Sequence, residues 1–277
     1  MKLKSVVAPL LLATLLSAGA SQAAPAKTPA KSQVKSTGMI AAANPMAVEA
    51  GLKVLRAGGT AMDAAVAVQA TLGLVELQSS GLGGGSFLTY YDAKTKAVTA
   101  YNGRETAPKA ATPQLFYGDD GKPLGKGVAI LSGRSTGVPG AIAMLSMAQA
   151  QHGKLAWKDL FGEAERLADG GFPAPNRMAA AASSRAGQAA TPDAVAYFTK
   201  PDGSKIKPGD IMKNPAYAAT VRKIAAEGPK ALLEGPIAEA IVAKVHEGAM
   251  PGSLTLADLK AYSPSPSRDF EIGRAHV

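Results

Sequence analysis

A glycine-rich segment followed at once by a hairpin pattern constrains this chain more than any other part of its sequence. Four of the five residues from 81 to 85 are glycine, which is typical of backbone that turns tightly or lies against another group, because glycine has no Cβ. Residues 87–91 and 97–102 are rich in aromatic and β-branched residues, which favour strands. The polar residues 92–96 between them predict a turn. We therefore predict a β-hairpin whose second strand ends just before Arg104.

Arg104 is the residue of this stretch with the clearest chemical use. The end of a strand is a rigid position for one positive charge, and a guanidinium grips a carboxylate through two parallel hydrogen bonds. Arg104 is therefore a candidate clamp for the carboxylate of a ligand. On the residues alone, a surface arginine paired with Glu105 or with an aspartate is the alternative.

Two other chemistries are weaker candidates in the same region. Residues 81–86 nearly match the phosphate loop of a dinucleotide fold, and Glu105 follows at a suitable distance. That fingerprint needs a strand before the glycines and a helix after them, whereas here we predict a helix before and a hairpin after. Ser79 and Ser80 are candidate nucleophiles, but no partner base stands out in the sequence. A structural role for these hydroxyls is therefore favoured.

The composition excludes several further classes. The 277 residues contain no cysteine, which excludes disulfides, cysteine catalysis and thiolate metal sites. The net charge of +9 is scattered, which indicates surface character and no nucleic-acid partner. The histidines lie apart from one another and from acidic pairs at helical spacing, so no metal and no cofactor are predicted. We expect these histidines at surfaces or helix ends: His152, His246 and His276.

Residues 1–23 have the pattern of a signal peptide. Lys2 and Lys4 precede an apolar run over residues 6–16, which is too short to span a bilayer comfortably, and small residues lead up to Ala23. Residues 24–36 are rich in proline, alanine and lysine and are expected to form a mobile linker. We predict cleavage after Ala23 and an exported protein, periplasmic or secreted, that is not held in the membrane afterwards.

The rest of the chain predicts a single domain dominated by helices. Residues 39–43 suggest a first core strand, and Asn44-Pro45 then starts a helix that runs to Arg56. Thr60 and Asp63 form a variant capping box before a helix that is apolar on nearly all sides and therefore buried. Residues 108–127 are expected to be loop. Further helices are predicted over residues 141–152, 157–168, 176–190, 215–226, 236–248 and 254–262.

Several motifs in this order resemble the large-subunit part of the γ-glutamyltransferases (glutathione hydrolases), a family of N-terminal-nucleophile hydrolases. The resemblance covers about residues 35–264. The segments that carry it are residues 44–67, 79–87, 104–108, 137–140, 152–157, 235–238 and 256–262.

The resemblance implies a fold, an activity and a site. The fold is α/β (α+β), the large-subunit portion of a four-layer αββα sandwich with several central strands missing. Members of the family cleave themselves into two subunits, and the new N-terminal threonine of the small subunit attacks the γ-glutamyl amide of glutathione and related compounds. The glutamyl group then passes to water, an amino acid or a peptide. By the same resemblance, Arg104 of the Arg-Glu-x-Ala-Pro motif holds the substrate α-carboxylate, and the small subunit from the same precursor is the protein partner.

The chain also departs from the family. The Thr-Thr-His motif of the catalytic threonine does not occur, so no catalytic residue is assigned and the chain as written is predicted to be an inactive fragment. Its apolar sheet and helix faces would be uncovered, which favours aggregation. Two alternatives stay open: an amidase similar to the cephalosporin acylases, and a non-catalytic amino-acid-binding protein.

Residues 265–277 are interpreted as a tail that does not match the family. Back-translated, residues 271–277 can encode the start of a common sequencing-library adapter. We therefore expect that the reading frame ran into adapter sequence and that the real protein continues. A genuine stop codon after Val277 in genomic DNA would contradict this expectation.

Overall fold

The computed structural model describes residues 38–184 and 187–267. The predicted signal peptide over residues 1–23, the linker over residues 24–36 and residues 268–277 of the tail predicted over residues 265–277 lie outside the described residues. None of the helices in the described ranges combines the length and apolar character needed to cross a bilayer. In chain order the elements are α1 (Pro45–Arg56), α2 (Ala61–Val75), β1 (Ser86–Asp92), β2 (Ala97–Gly103), α3 (Lys126–Leu131), α4 (Ala141–His152), α5 (Gly162–Gly170), β3 (Phe172–Pro173), α6 (Asn176–Ala182), α7 (Pro192–Phe198), β4 (Ile211–Met212), α8 (Pro215–Glu227), α9 (Lys230–Leu233), α10 (Gly235–Val245), α11 (Leu256–Lys260) and β5 (Ser265–Ser267).

The first two helices begin where their capping residues predict. The side chain of Asn44 accepts the N–H of Met46 at 3.0 Å at the start of α1. At α2, Thr60 Oγ1 accepts the Asp63 N–H at 3.3 Å, and Asp63 Oδ2 accepts the Thr60 N–H at 2.8 Å. Both predicted starts and the capping box are confirmed. Because α2 packs against α1, α4 and α5, most of its surface is buried, as its all-round apolar pattern predicts.

The predicted hairpin is present and forms most of an antiparallel sheet with the order β1-β2-β5. Its register runs from the Ser86–Gly103 pair to the Asp92–Ala97 pair, and β5 pairs with residues 100–102. One face of this sheet packs on α4, where Tyr101 is buried. The opposite face leaves Tyr91 and Val98 more than half exposed.

The core places the end of β2 against the helices. One cluster of buried apolar side chains joins α2, α4 and Tyr101. A second cluster lies around Phe172 and Phe198, where the short strands β3 and β4 pair. A third lies between Val138 and helices α10 and α11. The end of β2 is therefore fixed by buried contacts to α4, while the chain that follows it reaches the surface.

Some predicted elements are wrong. Residues 38–43 form no strand, and Met39 is 92% exposed. A strand needs a neighbour for its backbone hydrogen bonds, and here Ile40 lies instead against α1 and α2 at Gly51. The helix predicted over residues 157–168 is divided into a 3₁₀ turn at Trp157–Leu160 and α5. The indole of Trp157 donates to the Ile224 carbonyl at 2.9 Å.

Other boundaries and one further helix also differ from the prediction. The helix that begins at Asn176 ends at Ala182, well before residue 190. Helix α7 was not predicted, and its closing residue Phe198 is buried in the second cluster. Helix α3 begins at Lys126, just inside the segment predicted to be loop. Helices α4 and α8 lie as predicted.

Candidate functional site

Three segments that are far apart in the sequence meet beside the end of β2. The Gly84 carbonyl accepts the N–H groups of Gly140 and Ala141, both at 3.0 Å, at the N-terminus of α4. The Thr106 carbonyl accepts the Val138 N–H at 2.9 Å. The glycine-rich segment, the segment from Arg104 onward and the Gly137-Val138-Pro139-Gly140 motif therefore form one structural unit.

Close approach explains a glycine in this unit. A Cβ at Gly85 would lie 2.7 Å from both the Cδ atom and the backbone nitrogen of Glu105, nearer than real side chains come. At Gly83, by contrast, an added Cβ would meet no atom within 4 Å. The glycine-rich composition is thus needed for packing at Gly85, where the loop lies directly on Glu105.

Arg104 follows β2 and is fixed through its backbone. Its N–H donates to Asn102 Oδ1 at 2.9 Å, and its carbonyl accepts the hydroxyl of Tyr262 at 2.9 Å. The side chain is 64% exposed, and Nη1 lies 3.0 Å from Glu105 Oε2. The ion pair named as the alternative is therefore present. Because a guanidinium carries several N–H donors in a fixed fork, this one pair leaves donors that face solvent and can bind a carboxylate.

Glu105 is incompletely satisfied. Its Oε2 atom is buried and accepts no hydrogen bond of good geometry within the described part of the chain, so the contact with Arg104 is an ion pair without alignment. Burial raises the pKa of the Tyr262 hydroxyl, and the negative charge of Glu105 raises it further. Tyr262 therefore stays protonated and remains a hydrogen-bond donor beside this carboxylate.

An open cleft of about 280 Å³ lies against Arg104. Residues 104–108 form one side, and Leu115, Phe116 and residues 134–137 form the rest. Arg134 holds the Leu115 side in place, since its Nη1 donates to the carbonyls of Leu115 and Tyr117 at 3.3 and 3.1 Å. The cleft is large enough for the head of a small ligand, and Arg104 gives it a positive charge at the rim.

The serines considered as nucleophiles have structural partners. Ser80 Oγ accepts the side-chain amide of Gln69 at 3.1 Å, and Ser79 Oγ accepts Arg177 Nη2 at 3.2 Å. No histidine contacts either hydroxyl in the described residues. The structural role favoured for them agrees with these contacts.

Neither histidine of the described residues lines the cleft. His152 is the last residue of α4, and its ring stacks on Tyr90 with ring centres 3.9 Å apart. His246 directly follows α10, and His276 lies outside the described residues. Across the described ranges, no group of three or more His, Asp or Glu side chains is placed to hold a metal ion.

Sequence reasoning missed the contribution of residues 255–262 to this site. Tyr262 contacts the Arg104 carbonyl, and Asp258 Oδ1 accepts the Lys109 N–H at 3.0 Å. The available signal was local: Thr255 and Asp258 form a capping box at α11, which explains the helix but not its partner. Nothing in the spacing links residue 262 to residue 104.

Comparison with solved structures identifies the class of protein. The chain superposes on Helicobacter pylori gamma-glutamyltranspeptidase with a TM-score of 0.77 and 28% identity, over 83% of this chain and 65% of that one. It also superposes on a cephalosporin acylase from Bacillus halodurans, with a TM-score of 0.65 and 26% identity, over 80% of this chain and 41% of that one. The fold is therefore the α+β fold of the N-terminal-nucleophile hydrolases, as predicted.

The sequence comparisons identify the family. The gamma-glutamyltranspeptidase family model matches residues 47–271. The glutathione hydrolase proenzyme of Bacillus subtilis (strain 168) is 36% identical over 260 residues, which cover 91% of this chain and 44% of that protein. The chain belongs to the gamma-glutamyltranspeptidase family, which is a family of enzymes. It spans less than half the length of the curated relatives that it matches.

Proposed function

We propose that this chain is the large-subunit part of an exported γ-glutamyltransferase (glutathione hydrolase) precursor, and that Arg104 binds the α-carboxylate of its γ-glutamyl substrates. The observation that carries the proposal is a mostly exposed guanidinium at the rim of a cleft, on a backbone tied to the sheet and to Tyr262. A carboxylate matches the geometry of such a fork, because it can accept two parallel N–H hydrogen bonds. Family membership supplies the substrate class: glutathione and other γ-glutamyl compounds.

In this proposal the large subunit binds and the small subunit reacts. Arg104 donates N–H groups to the α-carboxylate, while Glu105 restrains the guanidinium from the other side. The hydroxyl of the small subunit's N-terminal threonine attacks the γ-carbonyl and forms an ester, and the amine leaves with a proton. Water or an acceptor amine then cleaves the ester and releases glutamate or a new γ-glutamyl amide. Removal of the Arg104 side chain should therefore weaken substrate binding and should slow the chemical steps much less.

The test is Arg104→Ala in the processed enzyme that contains this large-subunit sequence. Loss of a charged hydrogen-bonding partner should raise KM for a chromogenic γ-glutamyl anilide by about 10- to 100-fold. Arg104→Lys keeps the positive charge but not the forked donors, so its KM should lie between those of the parent enzyme and Arg104→Ala. Arg56→Ala is the matched control, because Arg56 is similarly exposed and is paired with Glu49 at 2.8 Å. Its KM should not change.

Two results would contradict the proposal. An unchanged KM in Arg104→Ala would remove the assignment of the carboxylate site. Clear turnover of the anilide by residues 1–277 alone would show that a nucleophile lies within this chain. In the proposal the nucleophile belongs to the small subunit, which also covers the sheet face that exposes Tyr91 and Val98.

An amidase similar to the cephalosporin acylases is the second candidate, because one such enzyme shares the fold. A glutaryl group keeps the terminal carboxylate of a γ-glutamyl group but lacks its α-amino group, so Arg104 could bind the carboxylate of either substrate and the two candidates differ in whether the site also recognises the amine. The ratio of kcat/KM for γ-glutamyl and glutaryl anilides separates the two candidates. A preference for the glutaryl substrate would favour the amidase.

Export to the periplasm or the medium is part of the proposal, on the pattern of residues 1–23. The mature protein should begin at Ala24. N-terminal sequencing of the large subunit from a cell fractionation measures this directly. An uncleaved Met1 in the cytoplasmic fraction would contradict it.

A further inference from the structure

We infer that Tyr262 is a positioning residue for Arg104: its hydroxyl holds the Arg104 carbonyl and so sets where the guanidinium stands at the cleft. The inference rests on the proposed function, in which Arg104 binds the substrate carboxylate. Tyr262 acts through the backbone of Arg104, since its hydroxyl donates to the Arg104 carbonyl oxygen at 2.9 Å.

The segment that carries Tyr262 runs antiparallel to the one that carries Arg104. Residues 265–267 pair with residues 100–102 as β5 and β2. Further along, Tyr262 contacts Arg104 and then Asp258 contacts Lys109 through the Lys109 N–H. Backbone on both sides of Arg104 is therefore held by one continuous segment. The Tyr262 hydroxyl is the contact within it that reaches Arg104 itself.

Tyr262 is fixed from its other side by α4. A Cβ at Gly140 would lie 2.5 Å from Tyr262 Cζ, so the ring rests directly on this glycine at the start of the helix. The Gly140 N–H in turn donates to the Gly84 carbonyl of the glycine-rich segment. The hydroxyl therefore has a defined position relative to the loop, the helix and Arg104, and its raised pKa keeps its proton available for the Arg104 carbonyl.

The experiment is a double-mutant cycle of Tyr262→Phe and Arg104→Ala in the processed enzyme. Tyr262→Phe removes one hydrogen bond and should raise KM for the γ-glutamyl anilide about five-fold, with kcat nearly unchanged. Calorimetry with L-glutamate should show a weaker Kd by a similar factor. In the Arg104→Ala background, Tyr262→Phe should raise KM no further, because its effect passes through Arg104.

Tyr217→Phe is the matched control. The Tyr217 hydroxyl also donates to a backbone carbonyl, that of Ala70 at 2.6 Å, but it lies in the core between α8 and α2. Its loss should lower the melting temperature and leave KM unchanged. If Tyr262→Phe behaved like Tyr217→Phe while Arg104→Ala still raised KM, the positioning role would be wrong and the proposed function would stand. Additive effects of Tyr262→Phe and Arg104→Ala would also overturn it, and an unchanged KM in Arg104→Ala alone would overturn both.

Discussion

Asp63, in the capping box of α2, and Glu105, next to Arg104, are both acidic residues with buried oxygens, but their hydrogen bonding differs. Asp63 is fully buried, and its Oδ1 accepts Gln149 Nε2 at 2.9 Å. Its Oδ2 accepts the backbone N–H groups of Thr60, Lys154 and Leu155 at 2.8, 2.9 and 3.3 Å. Glu105 has one buried oxygen without an aligned donor, and its ion-pair partner is mostly exposed.

The difference separates a structural carboxylate from one at a binding site. A buried carboxylate whose two oxygens both accept hydrogen bonds stabilises the fold, and here Asp63 joins the start of α2 to the loop after α4. An incompletely satisfied carboxylate beside an exposed cation contributes less to stability. It leaves donors of the cation available to a ligand. Substitutions at the two places should therefore affect different measurements.

The largest expected effect is on stability, at Asp63. Asp63→Ala leaves several buried N–H groups without an acceptor and should lower the free energy of unfolding by about 3 kcal/mol, measured by denaturant titration. KM for the γ-glutamyl anilide should not change. Asp202→Ala is the control, because Asp202 accepts hydrogen bonds from Ser204 in an exposed turn. This substitution should lower the free energy of unfolding much less. Equal losses for the two variants would remove the structural role given to Asp63.

An intermediate effect is expected at the glycine that lies on Glu105. Gly85→Ala must displace Glu105 and should raise KM about ten-fold as well as lower the free energy of unfolding by about 1–3 kcal/mol. Gly83→Ala meets open space and should change neither quantity. If Gly83→Ala weakened substrate binding as much as Gly85→Ala, the close contact with Glu105 would not be the reason for the glycine.

The smallest expected effect is the acid dependence of stability. Burial raises the pKa of Asp63, but hydrogen bonds from Thr60, Gln149, Lys154 and Leu155 outweigh it and hold the pKa below the ordinary value of 3.8. The folded state therefore binds this proton less readily than the unfolded state. The contribution of Asp63 is complete above about pH 5 and is lost as the pH falls towards the folded pKa.

Unfolding free energies of the parent enzyme and Asp63→Ala, measured from about pH 5 to pH 3, should converge as the pH falls. Other acidic groups with lowered pKa, such as Glu163 and Asp258, contribute equally to both proteins and cancel in the difference. A constant difference across this range would show that Asp63 has an ordinary pKa in the folded protein.

Local chemistry made part of this structure predictable from sequence. Asn44, Thr60 and Asp63 cap helices through hydrogen bonds that span two or three residues, and the hairpin depends on neighbouring strands joined by a short turn. The position of Arg104 at the end of β2 follows from the same hairpin. The assignment of its carboxylate-binding role came from the family resemblance and stays a prediction.

Long-range packing made the rest unpredictable. Residues 39–43 have the composition of a strand but no partner strand within the described ranges, and Phe198 closes α7 because a distant cluster buries it. The contacts of Tyr262 with Arg104 and of Asp258 with Lys109 each join residues roughly 150 positions apart.

The amino-acid sequence by itself determined the caps, the hairpin and the placement of one arginine at a strand end, because each depends on side chains within a few residues of one another. Only the tertiary structure decided that Gly84, Arg104, Val138 and Tyr262 lie together. The physical reason is that hydrogen bonds and buried surface between distant segments exist only once the chain has folded. No local sequence pattern predicts which backbone carbonyl accepts the hydroxyl of a given tyrosine.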